Sequence, residues 1–412
     1  MKKEKLMILG AGLCQVPIIN LVKQKGFEAI VVSAAGNYPG FNIADKSYQV
    51  DVRNKEEILD IARREKISGI LTDQTDLPVP TVAYVAERMG LPGIGYECAL
   101  NFTNKYKMRQ LCEKVGVPVP KHFSATSIDE AEEKADSLGY PLILKPVDSQ
   151  GSRGVALVNG PQDLAEKFHE AQKFSACNSI ILEEFFRGHE VVVQGIVSDY
   201  KFRNLVIADR YYFDLPDIFI PAQTIFPSVI SDNLKEKIFN LNSLLIDKFH
   251  PQFGITHSEY LVDAESGEVR LVETAIRGGG VFISSDLVPL ACGVNINELL
   301  IQLTSGATNV SLEENILRNG ASAYLCFHLP VGIIQHISGV EEIKSFKGVH
   351  KVYLQDLEVG QKTALISDKT MRKGPILLKG SSRQDLEETL NRVKNTLNIR
   401  VETPKGIKGI EW

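Results

Sequence analysis

Between His257 and Gly280 the chain reads HSEYLVDAESGEVRLVETAIRGGG, two β-rich runs on either side of a turn rich in Ala, Glu, Ser and Gly. This pattern predicts a β-hairpin. A loop centred on Ser266 pairs Asp263 with Val269, Leu261 with Leu271, and Glu259 with Glu273. Directly opposed residues share a face, with Cβ atoms about 5 Å apart. Two carboxylates at that separation repel by about 3 kcal/mol at an effective dielectric of about 20. Three arrangements relieve the repulsion: a proton shared between them, a hard divalent cation that also takes substrate phosphates, or glutamates turned into water. The residues after the second glutamate favour a ligand. Arg277 stands four residues on and opens the run Gly278, Gly279 and Gly280, whose backbone can approach a bound group closely. A cation site, a guanidinium and bare backbone amides together suit phosphate or a developing oxyanion.

At 412 residues the chain is too long for one ordinary domain, and about two to four are expected. With 44% hydrophobic and 24% charged residues it can bury substantial cores. A formal charge of −5 gives no support to a nucleic-acid polyanion as the main partner. The six cysteines, at 14, 98, 112, 177, 292 and 326, show no C-x-x-C and no paired spacing. That favours reduced thiols and a cytoplasmic location over a disulfide framework or a zinc site. Basic MKKEK before LMILGAGLCQVPIINLV has the look of an export signal, but Gln15, Pro17 and Asn20 interrupt it and no A-x-A-like site follows. A short buried strand, a glycine turn and a helix are expected there instead. No apolar run reaches the length of about 18 residues that a membrane span needs.

Over residues 1 to 100 the short apolar runs KLMILG, EAIVVS and ISGILT alternate with helical patterns, which predicts a parallel α/β sheet. Its first turn, Gly10-Ala11-Gly12, lacks the third glycine of the dinucleotide fingerprint, because Gln15 holds that position. NAD is therefore discounted, although the turn still offers a crevice for a small ligand or a close helix contact. Further on, Met108, Leu111, Cys112 and Val115 recur at helical spacing, with Gly116 and Pro118 as the stop. A second helix starts at the capping box Ser127 to Glu130 and ends at Gly139. The apolar strand PLILK then runs into the glycine loop SQGSRGV, a helix follows near 163–174, and strands IILEEF and EVVVQGIV come next. After the hairpin, residues 311–412 form an α/β segment with a last helix near 383–397.

Lys105 opens a predicted helix and Lys145 closes a predicted strand just before Gly151 and Gly154. Lysines so placed can bind phosphates while loop amides turn inward. Each also has a bland reading, as a solvated strand edge or a flexible turn. Glu183, Glu184, Phe185 and Phe186 set acidic groups beside aromatics, which suits a purine edge and ribose and equally suits a domain hinge.

Taken in order, these features resemble the ATP-grasp superfamily over residues 1 to about 310, and loosely beyond. The resemblance implies an α/β and α+β multidomain fold. An N-terminal parallel α/β domain, the pre-ATP-grasp domain, would occupy 1–102. The ATP-grasp domain would occupy 103–310, with a small nucleotide lobe at about 121–190 and a metal-binding lobe at about 191–310. The segment 311–412 would pack on that core. It implies that Lys105 and Lys145 contact phosphate, Lys145 also reaching the adenine side. Ser149, Gln150, Gly151, Ser152 and Gly154 would belong to a flap over the phosphates. Glu183, Glu184, Phe185 and Phe186 would line the adenine pocket, and Glu190 would bind the ribose hydroxyls. Glu259 and Glu273 would hold Mg²⁺, or Mn²⁺ in its place, with Arg277 as the catalytic residue near the transferring group and Gly278 to Gly280 beside the substrate. Many members carry a metal-ligating asparagine two residues after the second glutamate, where this chain has Ala275. Alanine cannot coordinate, so a second ion would rely on the carboxylates, phosphates and water.

The E-x-A-x-R pattern resembles the amino-acid ligases of the superfamily. It implies an ATP-dependent, ADP-forming carboxylate-amine ligase acting on small-molecule carboxylates and amines, with no nucleic acid or membrane partner and a homodimer as the assembly. The alternatives are a bicarbonate-dependent carboxylase of the biotin carboxylase type and a non-catalytic nucleotide-binding subunit. His257 and His189 are base candidates by sequence proximity alone. The aromatic stretch from Tyr211 to Phe226 either walls an acceptor pocket or serves packing.

Overall fold

The computed structural model describes residues 3–216, 218–307 and 320–412. The strands β1 (Lys5–Leu9), β2 (Glu28–Ser33), β3 (Lys46–Gln49) and β4 (Gly69–Leu71) form a parallel sheet in the order β3-β2-β1-β4. β1 and β2 are buried on both faces, which their unbroken apolar runs require. β3, KSYQ, is a largely exposed edge and lacks the apolar run that marks its neighbours. The loops after β1 and β4 leave the carboxyl edge of this sheet side by side, where Gln15 Nε2 donates to the Asp73 carbonyl at 2.7 Å.

A second sheet is antiparallel and small. β5 (His122–Ala125), β6 (Leu142–Pro146), β7 (Ala156–Val158) and β8 (Ile180–Glu184) lie in the order β5-β8-β6-β7. The helices Ile128–Leu138 and Pro161–Gln172 cover one face through Ala131, Ala135, Leu164 and Phe168. Ser127 caps the first of these, accepting from the Glu130 amide at 3.3 Å, and Gly139 at φ +78° ends it. The other face is left open to a cavity.

The third sheet carries the hairpin. β9 (His189–Ser198), β10 (Lys201–Tyr212), β11 (Pro221–Phe226), β12 (Gly254–Val262), β13 (Val269–Ala275) and β14 (Ala321–Phe327) are followed by β15 (Gly332–Ser338), β16 (Val349–Val352), β17 (Lys362–Thr363) and β18 (Lys373–Gly380). Eight of these make one sheet, in the order β13-β12-β9-β10-β11-β14-β18-β16. β14, β16 and β18 of the C-terminal segment thus continue the sheet that holds the hairpin. β15 and β17 join β19 (Asn398–Thr403) and β20 (Gly406–Lys408) in a small sheet. The division expected at 310/311 falls outside the described residues. No helix among the described residues is long and apolar enough to cross a membrane.

The hairpin forms, and Glu259 faces Glu273 in register. Nearer the turn, the expected pairing is corrected by one residue: Leu261 pairs with Arg270 and Val262 with Val269. The cause is a β-bulge at Val272. Its carbonyl accepts from Arg109 Nη2 at 2.7 Å, and the Leu271 amide donates to the Pro118 carbonyl at 2.9 Å. Those outside partners take hydrogen bonds that a regular ladder would have used.

The helix Arg383–Thr396 anchors the C-terminal segment through one buried charge. Arg383 Nη1 lies 2.8 Å from Asp209 Oδ2, and Asp209 is fully buried on β10. Removing one partner of a buried pair strands the other charge, at a cost of about 3 kcal/mol or more. Arg383→Leu is therefore expected to lower the urea unfolding free energy by about 3 kcal/mol. A loss below about 1 kcal/mol would mean that His189, Ser228 and the Val229 amide satisfy Asp209 without Arg383.

Candidate functional site

A cavity of about 640 Å³ lies between the small antiparallel sheet and the hairpin side of the large one, a size typical of small-molecule sites. Ile143, Leu157, Leu261 and Val272 give it apolar walls, with Phe185 and Phe186 where the chain leaves β8. Strand alternation explains the composition. Glu259 and Leu261 project to one face of β12, and the bulge lets neighbouring Val272 and Glu273 of β13 both line the cavity.

One end is built on a buried ion triad. Glu183 sits 2.6 Å from Arg109 Nε and 2.5 Å from Lys145 Nζ, and all three side chains are buried. Burial opposes the Glu183 charge, but Arg109 and Lys145 overcome it and hold the pKa at about 2. Lys145 is pulled the other way, its pKa lowered by burial despite Glu183. Glu183 thus lines the wall while both of its oxygens are engaged by these cations. Glu184 accepts from the Lys121 amide at 3.1 Å, and the Arg270 guanidinium lies 5.2 Å from the Phe186 ring centre. Lys105, first residue of the helix Lys105–Val115, reaches the Ser149 carbonyl at 2.6 Å and Glu273 at 3.0 Å.

The other end is a network around Arg210. Its Nη1 donates to Glu190 at 2.7 Å and to Glu259, and its Nη2 lies 3.1 Å from His257 Nε2. Tyr212 donates to the second oxygen of Glu190. Burial raises the Glu190 pKa, whereas at Glu259 the penalty of burial is outweighed by Arg210 and the pKa falls well below the usual range. Burial lowers the His257 pKa to about 4, so this imidazole is neutral at pH 7. Gln194 Nε2 lies 2.5 Å from His257 Nδ1 while Gln194 Oε1 is buried without a partner. Turning that amide over lets Gln194 Oε1 accept from His257 Nδ1–H and leaves His257 Nε2 to accept from Arg210. The lone pair of His257 is then already engaged. His189 binds Asp209 at 3.1 Å, on the face of the large sheet opposite Glu190.

The facing carboxylates have room for a cation. Glu259 gives one oxygen to Arg210 and Glu273 gives one to Lys105, and among the described residues no hydrogen bond reaches the second oxygen of either. No cluster of three or more His, Cys, Asp or Glu suited to a metal occurs among the described residues. A donor set of two carboxylates fits an ion such as Mg²⁺, which fills its sphere with water and phosphate oxygens, and does not fit an all-protein cage.

Ser149, Gln150, Gly151 and Ser152 line the cavity, whereas Gly154 sits at the base of the loop, where an added Cβ would meet the Pro146 ring at 2.9 Å. Gln150 Oε1 accepts from the Asp76 amide at 2.7 Å, tying this loop to the N-terminal sheet. Arg277 and Gly278 to Gly280 lie beside the cavity. Arg277 Nη2 donates to Asp76 at 2.6 Å, and its Nε is buried without a partner. A Cβ at Gly278 would fall 2.2 Å from Asp73 Oδ1, and one at Gly279 would fall 2.9 Å from His257 Nδ1. In this structure those glycines serve close packing against the N-terminal domain and His257.

Sequence reasoning alone does not single out Arg109, Asp76 or Lys369, and it names Tyr212, with Arg210 just before it, only within the aromatic stretch from Tyr211 to Phe226, of which Tyr212, Phe213 and Phe219 line the cavity. Arg109 carries a signal, since it lies on the same helix face as Lys105, Met108 and Cys112, where a buried cation needs a partner. Arg210 shares the inward alternation of β10 with Ala208 and Tyr212. Asp76 and Lys369 belong to loops without periodicity.

The Glu183 pKa carries a pH dependence. A carboxylate lowered in the folded state stabilises the fold fully above its ordinary pKa of about 4.3, and that contribution is lost as pH falls through the folded value. Glu183→Gln should therefore reduce stability at pH 7 and flatten the stability profile between about pH 4.3 and the folded pKa of about 2. Parallel acid-unfolding curves for the two proteins would disprove the triad's role.

Comparison with known proteins agrees with this geometry. Residues 104–312 match the family model described as carbamoyl-phosphate synthase L chain, ATP binding domain. The carbamoyl phosphate synthase large chain of Thermotoga maritima is 24% identical over 324 residues, which are 72% of this chain and 29% of that protein. The chain thus spans under a third of those relatives' length. Alanine--anticapsin ligase of Bacillus subtilis is 22% identical over 377 residues, 82% of this chain and 78% of the ligase. Among solved structures, an L-amino acid ligase from Bacillus licheniformis superposes with a TM-score of 0.83 at 21% identity, covering 98% of this chain and 100% of that one. Phosphoribosylglycinamide synthetase from Anaerococcus prevotii gives 0.76 at 19% identity, covering 97% and 99%. The chain belongs to the family of the carbamoyl-phosphate synthase L chain ATP-binding domain, within the ATP-grasp superfamily.

Proposed function

We propose that the protein is an ATP-dependent ligase that activates a small carboxylate, in the first instance an amino acid, as an acyl phosphate and couples it to an amine, releasing ADP and phosphate. The observation that supports this reading is the pair Glu259 and Glu273, each with one oxygen free of hydrogen bonds among the described residues, in the same cavity as Lys105 and Lys145. Alignment with a ligase over most of both chains supports amide formation over bicarbonate chemistry. Small molecules as partners, a cytoplasmic setting and a homodimer belong to the same reading.

A carboxylate is a poor electrophile with an expensive leaving oxygen. In the proposed reaction it attacks the γ-phosphorus of ATP, and ADP leaves. The amine then attacks the carbonyl carbon, and phosphate departs with the transferred oxygen. The protein supplies position and charge. Lys105 and Lys145 neutralise phosphate oxygens, and the 149–154 loop covers them. Phe185, Phe186 and the apolar walls take the base, with Glu190 at the ribose. Glu259 and Glu273 would hold Mg²⁺, which would supply charge neutralisation to the phosphates. Arg277 stabilises the anion that develops beside Glu273.

The deciding experiment is ADP release from Mg-ATP with pools of amino acids and other carboxylates, with and without amines and bicarbonate. Dependence on a carboxylate plus an amine is expected. Bicarbonate dependence without an amine would instead place the chain with the carboxylases. Glu273→Gln should lower that turnover by at least about 100-fold, or about 2.7 kcal/mol in the barrier, while the thermal midpoint without nucleotide changes little. Near-normal turnover in that variant would remove the metal assignment.

A further inference from the structure

The C-terminal segment brings one cation into the cavity that the proposed reaction leaves unused. Lys369 lies in the short turn Lys369–Met371 and lines the cavity with Glu190, Tyr212 and Glu259. Among the described residues its ammonium has no ion-pair or hydrogen-bond partner. The backbone that carries it is tied down. Asp368 accepts from the Thr370 amide at 2.7 Å and from its hydroxyl at 2.6 Å. Arg372 donates to the Lys369 carbonyl at 2.9 Å and to the Pro221 carbonyl at 2.7 Å, and Ile366 is buried in the core. A lysine with nothing to bind would extend its ammonium into water. This one stands on an ordered turn at the wall of a binding cavity.

Its electrostatic surroundings narrow the ligand. Glu259 and Glu190 attract Lys369, whereas Arg210 and Arg372 oppose it. Arg210 makes the direct ion pairs with both glutamates, so among the described residues neither takes the Lys369 ammonium as a bonded partner. Arg210 also leaves Nε buried and unpartnered. At the other carboxylate the cation is Lys105, on Glu273. The two lysines therefore stand by different members of the facing pair, Lys105 by Glu273 and Lys369 by Glu259. Arg277 is held by Asp76 and the Gly278 carbonyl.

Resting on the ligase reading, we propose that Lys369 binds the carboxylate of the donor substrate, so that the C-terminal segment completes the active site. An anionic donor must come within bonding distance of an anionic γ-phosphate. Positive charge is needed where the carboxylate lies, separate from the charge that holds the nucleotide. The ligand class is a small monocarboxylate, amino acids included, held through one carboxylate oxygen as lysine holds a point charge.

The test compares Lys369→Gln and Lys369→Arg with the wild type, using L-amino acids that support ADP release and Mg-ADP binding by calorimetry. Lys369→Gln should raise the KM for the donor at least tenfold while the Mg-ADP Kd and the amine KM stay within threefold. Lys369→Arg should recover part of the donor KM. Retained Mg-ADP affinity also shows that each variant is folded. An unchanged donor KM in an active Lys369→Gln enzyme overturns this assignment alone and leaves the ligase reading standing. A tenfold loss of Mg-ADP affinity overturns it too, by giving the lysine to the nucleotide. A wild type that binds Mg-ADP yet turns over with no carboxylate removes the ligase reading, and this subsite with it.

Discussion

The guanidinium of Arg109 is the contact on which the candidate site depends. It is fully buried and joins three separate pieces of chain: the helix that starts at Lys105, the small antiparallel sheet through Glu183, and the hairpin through the Val272 carbonyl. Taking such charges out of water is costly, and only mutual pairing with well-placed hydrogen bonds offsets it. The arrangement therefore contributes little net stability. Its contribution is position, since a triad that is costly when broken holds Lys145 at the cavity wall and holds the bulge that aims Glu273. Arg210 does the same at the opposite end for Glu190, Glu259 and His257.

This division of labour separates the features legible in the sequence from those that are not. Local periodicity is readable: the parallel strands, the capped helix after Ser127, the glycine loop, and the facing of Glu259 and Glu273 all come from spacing within a few residues. The bulge is not readable, because its causes lie far away in the chain. Arg109 and Pro118 take up hydrogen bonds of β13 more than 150 residues from their own positions. Glu183 reads as a wall of the adenine pocket, and it does line the cavity, yet its charge is taken up by Arg109 and Lys145. A single carboxylate in a strand gives no sign of which long-range cation will claim it. Lys369 is the extreme case, a lysine in a polar turn that looks like surface until the C-terminal strands join the large sheet and deliver it to the cavity.

The glycine run after Arg277 shows how one local signal supports two physical outcomes. Three consecutive glycines permit close approach of the backbone to whatever lies next to it. Here the neighbours are Asp73 and His257, and Ser284 and Asn297 complete the contacts of the buried Asp73 carboxylate. Burial raises the Asp73 pKa against those hydrogen bonds. The tight contact fixes the loop against the N-terminal domain and so sets where Arg277 begins.

Residues 73–76 then tie the N-terminal sheet to both sides of the cavity. Gln74 accepts from the Phe282 amide at 2.8 Å, Asp76 holds Arg277 through its carboxylate, and the Asp76 amide donates to Gln150 of the glycine loop. One short loop therefore touches the element that would cover the phosphates and the arginine that would meet the developing anion. An arginine left free in a polar cleft samples many rotamers and must lose that freedom when a ligand arrives. With Asp76 as an internal counter-ion, the guanidinium is ordered in advance. Its Nε, buried without a partner, would be the donor left over for an anion in the proposed reaction. The cost of such pre-ordering is competition, because a substrate anion must share the guanidinium with a carboxylate already there. Sharing is possible here because Asp76 engages only Nη2. The N-terminal domain in this arrangement is part of the electrostatics of the site, and its carboxylate sets how much of the Arg277 charge an anion can feel.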